Sequence, residues 1–220
     1  MRPDHLPFPL LRLSPNLKRV RVVECIDLAL VLPSLDGTNR LELPFLESLT
    51  VVGDQAAHRP FLLVAPLLRN LLLLGVGSYF NFLSPPSLPT PTFPLLQEFS
   101  LSSDANASES NPLTHLRQVL PSSLKALSLI NIPNLSDSTL RALTHPSFTP
   151  DGTSNQVLFP RLAELNLGRN HSFSGLDICL MVSSRKEEGR IALQELEVER
   201  DVLDEEKLRW LRLTVASVLV

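Results

Sequence analysis

The sequence is poor in aromatic residues and in cysteine, and both shortages narrow the class of protein. Phe, Trp and Tyr make up 5% of the 220 residues although 44% are hydrophobic, which favours a core of stacked leucines over an aromatic-rich globule. The two cysteines, Cys25 and Cys179, lie far apart and form no cluster of the kind that extracellular repeat proteins cross-link in their end caps. We therefore expect an intracellular protein, cytoplasmic or nuclear.

A strong excess of one charge and a long apolar run are also missing. The formal net charge is −3 and no basic run occurs, so the sequence lacks the electrostatic footprint of a nucleic-acid-binding protein. The N-terminus has no apolar run long enough for a signal peptide. The most apolar window, 61–76, is too short to span a membrane and contains Pro66 and Arg69. We expect no nucleic-acid partner and no membrane partner.

Motifs that carry catalysis or bind cofactors are absent as well. The sequence contains no G-x-S-x-G, H-E-x-x-H, P-loop or G-x-G-x-x-G motif. The five histidines, at positions 5, 58, 115, 145 and 171, lack metal-ligand spacing. Because function must be argued from a site, we expect a protein that is not an enzyme and that has no cofactor-binding, metal or catalytic residues.

The sequence does contain a repeated phrase. Residues 162–170 read LAELNLGRN, which is the leucine-rich-repeat pattern L-x-x-L-x-L-x-x-N. Leu165 and Leu167 lie two residues apart and face the same side of a strand, and Asn170 ends the strand, where its amide can bond backbone groups of the next turn. Seven copies of the phrase begin at Leu17, Leu46, Leu68, Leu96, Leu124, Leu162 and Leu193.

Proline precedes the leading leucine in six of the seven copies. It stands two residues before in five of them and three before in the sixth. The prolines are Pro15, Pro44, Pro66, Pro94, Pro160 and Pro121. Proline lacks an N–H and restricts its neighbour, so we expect it to hold an extended approach to each strand. The repetition predicts a curved α/β leucine-rich-repeat solenoid. About seven short strands form a parallel sheet on its concave side, with short helices and irregular loops on its convex side.

The chain divides into a short lead and one repeat domain. Residues 1–14 are an irregular, Pro-rich lead or the remnant of an earlier repeat, and residues 15–220 form the repeat domain. Loops near 81–94, 102–111 and 146–157 are rich in proline or small polar residues, and we expect them to be mobile. Neither end resembles the polar cap that a solenoid needs, which indicates a fragment or a truncated product.

Helical spacing predicts four short helices between the strands, over 112–120, 135–144, 176–183 and 204–213. Leu140 and Leu143 are expected to form the buried face of the second helix. In the third helix, Leu176, Cys179 and Leu180 are expected to face inward.

Strand residues that face away from the buried leucines are the candidate binding set, because side by side they would line the concave face. The candidate partner-binding residues are Arg19, Arg21, Thr50, Leu72, Leu74, Ser100, Ser128, Asn166, Glu195, Glu197 and Glu199. The first strand carries arginines and the last carries glutamates, about 29 Å apart, which is more than a Debye length of about 8 Å. Taken singly, each of these charges is more often a solvated surface charge than a contact residue, because contact energy usually lies in few residues.

The entry phrases PNLKRV, PFLESL, PLLQEF and FPRLAELNL, together with LDICLMVSSRK at 176–186, resemble the repeat region of fungal F-box/leucine-rich-repeat proteins. The resemblance covers residues 15 to about 200. It implies that the repeats hold a protein substrate for an SCF-type ubiquitin ligase, whereas an F-box docks on the ligase adaptor. Only 14 irregular residues precede the first copy, so the adaptor is an expected partner only if an F-box is supplied upstream.

The expected function is therefore a protein–protein interaction scaffold, the substrate-recognition repeat region of such a ligase subunit. The alternatives are a free-standing leucine-rich-repeat protein with an unrelated partner and a truncated product without activity. No contact residue of the family transfers to this chain.

Overall fold

The computed structural model describes residues 16–23, 40–53, 62–75, 93–103, 120–132, 135–144, 158–186 and 190–220. Its strands are β1 (Arg19–Val23), β2 (Arg40–Glu42), β3 (Ser48–Val52), β4 (Leu62–Val64), β5 (Asn70–Leu74), β6 (Glu98–Ser102), β7 (Ala126–Ile130), β8 (Glu164–Asn166), β9 (Glu195–Glu197) and β10 (Ser217–Leu219). Its helices are α1 (Asp137–Thr144), α2 (Gly175–Ser184), a 3₁₀ turn (Arg200–Val202) and α3 (Glu205–Thr214).

Eight of the strands form one parallel sheet, hereafter the main sheet. Its order is β1-β3-β5-β6-β7-β8-β9-β10, so the strands succeed one another in the order of the chain. The first seven are the strands that the seven sequence copies predict, and Leu165 pairs with Leu196 in parallel neighbours as expected. The α/β class with a parallel sheet is therefore confirmed.

The register of the main sheet does not slip from strand to strand. Leu71 of β5, for example, stands opposite Leu49 of β3 on one side and Phe99 of β6 on the other. All three side chains are buried, whereas the residues that alternate with them are half-buried or exposed. Because side chains in a strand alternate with period two, this register stacks the apolar positions of every copy into one core on one face.

Five of the six entry prolines lie in β-turns just before the strands, and Pro15 lies outside the described residues. Leu46 donates its backbone N–H to the carbonyl of Leu43 at 3.1 Å, and Pro44 is the second residue of that turn. The same bond closes turns at 65–68, 93–96, 121–124 and 159–162. The expectation of an extended approach was therefore wrong at this point, because the fixed φ of proline suits the second position of a turn. Pro121 differs and is the first residue of its turn.

Asn170 links two neighbouring copies from a buried position. Its Nδ2 donates to the carbonyls of Leu129, Leu167 and Gly168 at 2.6, 2.8 and 3.0 Å. Its Oδ1 accepts the N–H of Ile132 at 2.8 Å. The expectation that this amide bonds backbone groups of the next turn was wrong. Because the side chain is buried between two copies, its partners are Leu129 and Ile132 of the preceding copy and Leu167 and Gly168 of its own.

The helices agree with the predicted spans, but one predicted face was wrong. Helix α1 buries Leu140 and Leu143 as expected. In α2, by contrast, Leu176 is 59% exposed and Leu180 54% exposed, and Cys179 is half-buried against the core. The inward face of α2 consists of Asp177, Ile178, Met181 and Val182.

Three short strands were not predicted. β2 and β4 form a separate two-stranded parallel sheet that leads into the turns before β3 and β5. β10 adds an eighth strand beside β9 and follows α3, which buries Leu208 and Leu211.

The predicted lead, 1–14, and the loop predicted over 146–157 lie outside the described residues. So do residues 112–119 of the helix predicted over 112–120, and residues 81–92 and 104–111 of the loops predicted over 81–94 and 102–111. Ser103, which was expected to be mobile, is buried. It donates its backbone N–H to the Ile130 carbonyl at 3.3 Å, and its own carbonyl accepts from Asn131 Nδ2 at 2.9 Å. The pairing of β6 with β7 therefore extends two residues, Ser102 and Ser103, into the loop predicted over 102–111.

Candidate binding surface

The face of the main sheet opposite the buried leucines, hereafter the outer face, is built from three rows of side chains. The first row contains Arg19, Ser48, Asn70, Glu98, Ala126, Glu164 and Glu195. The second row contains Arg21, Thr50, Leu72, Ser100, Ser128, Asn166 and Glu197. The third row contains Val23, Val52, Leu74, Ser102 and Ile130. The strict register lines these side chains up across the strands.

A groove of about 380 Å³ lies on the outer face. It runs from β3 to β9 across six strands, which corresponds to about 24 Å at the usual strand spacing. Seven of the predicted partner-binding residues line it: Thr50, Leu72, Ser100, Ser128, Asn166, Glu195 and Glu197. The remaining four, Arg19, Arg21, Leu74 and Glu199, lie outside it.

The residues that line the groove carry negative charge. Four glutamates are among them, and no lysine, arginine or histidine of the described residues is. Two of the four, Glu98 and Glu164, were not in the predicted set, although the strand alternation that selects Glu195 places them on the same row. The alternation of buried and outward-facing residues along each strand is therefore enough to place both glutamates on the outer face.

Amide side chains hold two of the groove carboxylates in place. Asn70 donates to Glu98 at 2.9 Å and Asn166 donates to Glu197 at 2.5 Å. The Oδ1 of Asn166 also accepts the N–H of Gly168 at 2.8 Å. These bonds run along the sheet surface between neighbouring strands, so they fix the carboxylates without neutralising them.

Glu199 also differs from the prediction of a free outward charge. Its carboxylate accepts the backbone N–H of Arg169, which has a left-handed φ of 59°. Glu195 is exposed. The three glutamates of the last copy therefore differ in their surroundings, because only two of them are bonded to the preceding copy.

The positive charges lie at the other end of the outer face. Arg19 and Arg21 are exposed on β1, one strand beyond the groove. Nearby, Lys18 pairs with Glu47 at 3.3 Å. As predicted, positive charge lies at the β1 end of the outer face and negative charge at the β9 end. The negative end lies inside the groove.

Two other polar groups have shifted pKa values for structural reasons. Burial, with a contribution from Arg190, lowers the pKa of Arg185 to about 10. Its guanidinium donates to the carbonyls of Phe159 and Leu158 at 2.7 and 3.2 Å, and Phe159 has a left-handed φ of 47°. Burial also raises the pKa of the Cys179 thiol. Arg185 thus supports a turn, and Cys179 packs against the core as expected, while Cys25 lies outside the described residues.

Within the described residues, no cluster of three His, Cys, Asp or Glu side chains is placed to hold a metal ion. Exposed His171 pairs with Asp201 at 2.9 Å, and the other four histidines lie outside the described ranges. None of the helices that the structure describes is long and apolar enough to cross a lipid bilayer. No family model, curated protein or solved structure matches the chain.

Proposed function

We propose that this chain is a non-enzymatic scaffold that holds a protein partner on the outer face of the main sheet. The observation that carries the proposal is the groove, which runs without interruption over six strands and opens on the face opposite the core. A groove over many strands offers an extended contact area, which repeat proteins use to bind partners.

We further propose that the copies stack as a leucine-rich-repeat solenoid with the outer face concave. Three observations support this. Seven strands follow one another in chain order with a constant register. A β-turn closed by the same backbone hydrogen bond precedes five of them, and the Asn170 amide joins two copies. The groove on the outer face supports the proposed curvature toward that face.

The resemblance in the repeat phrases supports a narrower proposal, that the partner is a substrate of an SCF-type ubiquitin ligase. The ligase adaptor belongs to this proposal only if an F-box is encoded upstream. Reading the upstream coding sequence, and testing whether the resulting longer protein binds the adaptor, separates this role from that of a free-standing scaffold.

The experiment that tests binding on the outer face compares two variants in affinity capture from cell extract. Ser128→Arg places a long charged side chain in the centre of the groove, whereas Arg209→Glu changes an exposed charge on α3. We expect Ser128→Arg to lose partners that the unmodified chain and Arg209→Glu both retain. Loss of the same partners by Arg209→Glu but not by Ser128→Arg would contradict the proposal. Equal thermal midpoints of the two variants serve as the folding control.

A further inference from the structure

We infer that the segment of the partner that fills the groove is extended and rich in lysine or arginine. The inference rests on the proposed function and names the chemistry of its occupant. It comes from the charge of the groove lining, which the row order by itself does not reveal.

Charge complementarity is the first argument. Glu98, Glu164, Glu195 and Glu197 line the groove, and none of them forms an ion pair with any residue that the structure describes. The two that are bonded accept from neutral amides and keep their charge. A partner that brings cations to this surface gains attraction, whereas an acidic partner meets four like charges.

The spacing of the carboxylates is the second argument. Glu98 on β6 and Glu195 on β9 are three strands apart, or about 14 Å, with Glu164 on β8 between them. No single ion reaches all three. In an extended peptide every second side chain faces the same side, and three such side chains span about 13 Å. The span of three alternating basic residues therefore matches the distance from Glu98 to Glu195, and the middle residue reaches Glu164 through its long side chain.

The floor of the groove is the third argument. Between the carboxylates lie the small side chains of Ser100, Ala126 and Ser128, and toward β1 lies Leu72. Small side chains leave room for a peptide backbone and offer hydroxyl groups to it. Arg19 and Arg21 beyond the groove would repel the basic residues, so the basic part of the segment lies over β6 to β9.

Fluorescence anisotropy with a synthetic probe tests the inference on the full chain. The probe is a fluorescein-labelled heptapeptide of alternating lysine and serine, and the comparison peptide replaces every lysine with glutamate. We expect the lysine probe to bind and its affinity to fall as salt increases, and we expect no binding of the glutamate peptide. Equal binding of both peptides would overturn the inference.

Matched charge variants locate the binding. Glu164→Gln/Glu195→Gln removes two charges from the groove, and Glu205→Gln/Glu206→Gln removes two exposed charges from α3. We expect the first pair to weaken probe binding about fivefold relative to the second, because exposed ion pairs contribute about 0.5 kcal/mol each. Ser128→Lys, which adds a cation to the groove, should weaken it as well. Equal affinity of both double variants would place the probe elsewhere and overturn the inference.

The partner found by affinity capture separates this inference from the proposed function. A partner that Ser128→Arg loses but that binds Glu164→Gln/Glu195→Gln unchanged would overturn the basic segment and leave the scaffold intact. If the probe binds in the groove but Ser128→Arg leaves partner binding unchanged, the proposed scaffold surface is wrong. The inference that the groove binds a basic segment would then still stand.

Discussion

Asn170 makes more hydrogen bonds from a buried position than any other asparagine that the structure describes. It bonds three carbonyls and one N–H, and of these the Gly168 carbonyl also accepts the N–H of Asn131 at 3.2 Å. Asn166, four residues earlier, lies on the outer face and bonds Gly168 and Glu197 in partly exposed surroundings. Both asparagines come from one repeat copy, but their contributions to stability differ because burial decides the cost of a lost partner.

We therefore predict different effects of the same substitution at the two positions. Asn170→Ala leaves several buried backbone groups without a partner and should lower the free energy of unfolding by about 2–4 kcal/mol. Asn166→Ala should lower it by about 0.5–1.5 kcal/mol. Urea unfolding followed by circular dichroism measures both. An equal loss in the two variants would mean that the Asn170 amide is not a buried link between copies.

Cys179 gives a prediction about pH. Burial raises the pKa of its thiol, so the folded chain keeps it protonated at pH values where an unfolded chain already forms some thiolate. In a Cys25→Ser background, iodoacetamide should alkylate the folded protein more slowly than the unfolded protein, and the rate in the folded protein should rise only at a higher pH. Identical pH profiles in the folded and unfolded states would show that the thiol is not shielded.

At the scale of elements, the strands were predictable and the face of α2 was not. Each strand copy alternates apolar and polar residues, which fixes both its existence and its buried side. Helix α2 reads GLDICLMVSS, with large apolar residues on every side, so helical spacing selects no face. Tertiary packing decides it, because Ile178, Met181 and Val182 are buried in the core while Leu176 and Leu180 lie on the exposed side. On the α1 side, Arg141 pairs with Asp177 at 3.1 Å.

The short strands β2, β4 and β10 show the same limit. Each has three residues, and each exists because a neighbouring segment offers matching backbone groups. Ser217, for instance, donates its N–H to the carbonyl of Gln194 at 2.9 Å. A three-residue segment is too short to carry a period of its own, so its pairing cannot be predicted from its sequence.

The observed face of α2 predicts which of its residues matter for stability. Ile178 is completely buried, and Ile178→Ala should cost about 2–5 kcal/mol in the free energy of unfolding. Leu180 is about half exposed, and Leu180→Ala should change that free energy by less than about 0.5 kcal/mol. Chemical denaturation of the two variants measures the difference. A larger loss of unfolding free energy for Leu180→Ala than for Ile178→Ala would mean that Leu180 faces inward, as the sequence predicted.

At the scale of the whole molecule, the sequence located the outer face but not the extent of the groove. Seven of the eleven predicted residues line the groove, since strand alternation assigns faces reliably. Arg19 and Arg21 lie outside the groove because it ends at β3. Glu197 and Glu199 accept hydrogen bonds from Asn166 and Arg169 of the preceding copy, and these bonds depend on which strands are neighbours. These features arise from the stacking of copies that are distant in sequence.

The distribution of charge and apolar surface predicts the kinetics of partner binding. Reversing Glu195, Glu197 and Glu199 to lysine should mainly slow association with the captured partner, and the difference should shrink at high salt. Leu72→Ser should mainly speed dissociation, because a half-buried apolar contact affects residence time more than approach. Surface plasmon resonance at low and high salt separates the two rates. Unchanged association of the charge-reversal variant at low salt would contradict electrostatic steering along this face.

Site-specific photo-crosslinking tests the central claim, that a partner occupies the outer face, most directly. One variant carries a benzophenone amino acid in place of Thr50, at the β3 end of the groove, and a matched variant carries it in place of Arg209 on α3. We expect a covalent adduct of defined mass from position 50, reduced by excess lysine–serine peptide, and none from position 209. An adduct from position 209 with none from position 50 would contradict the claim.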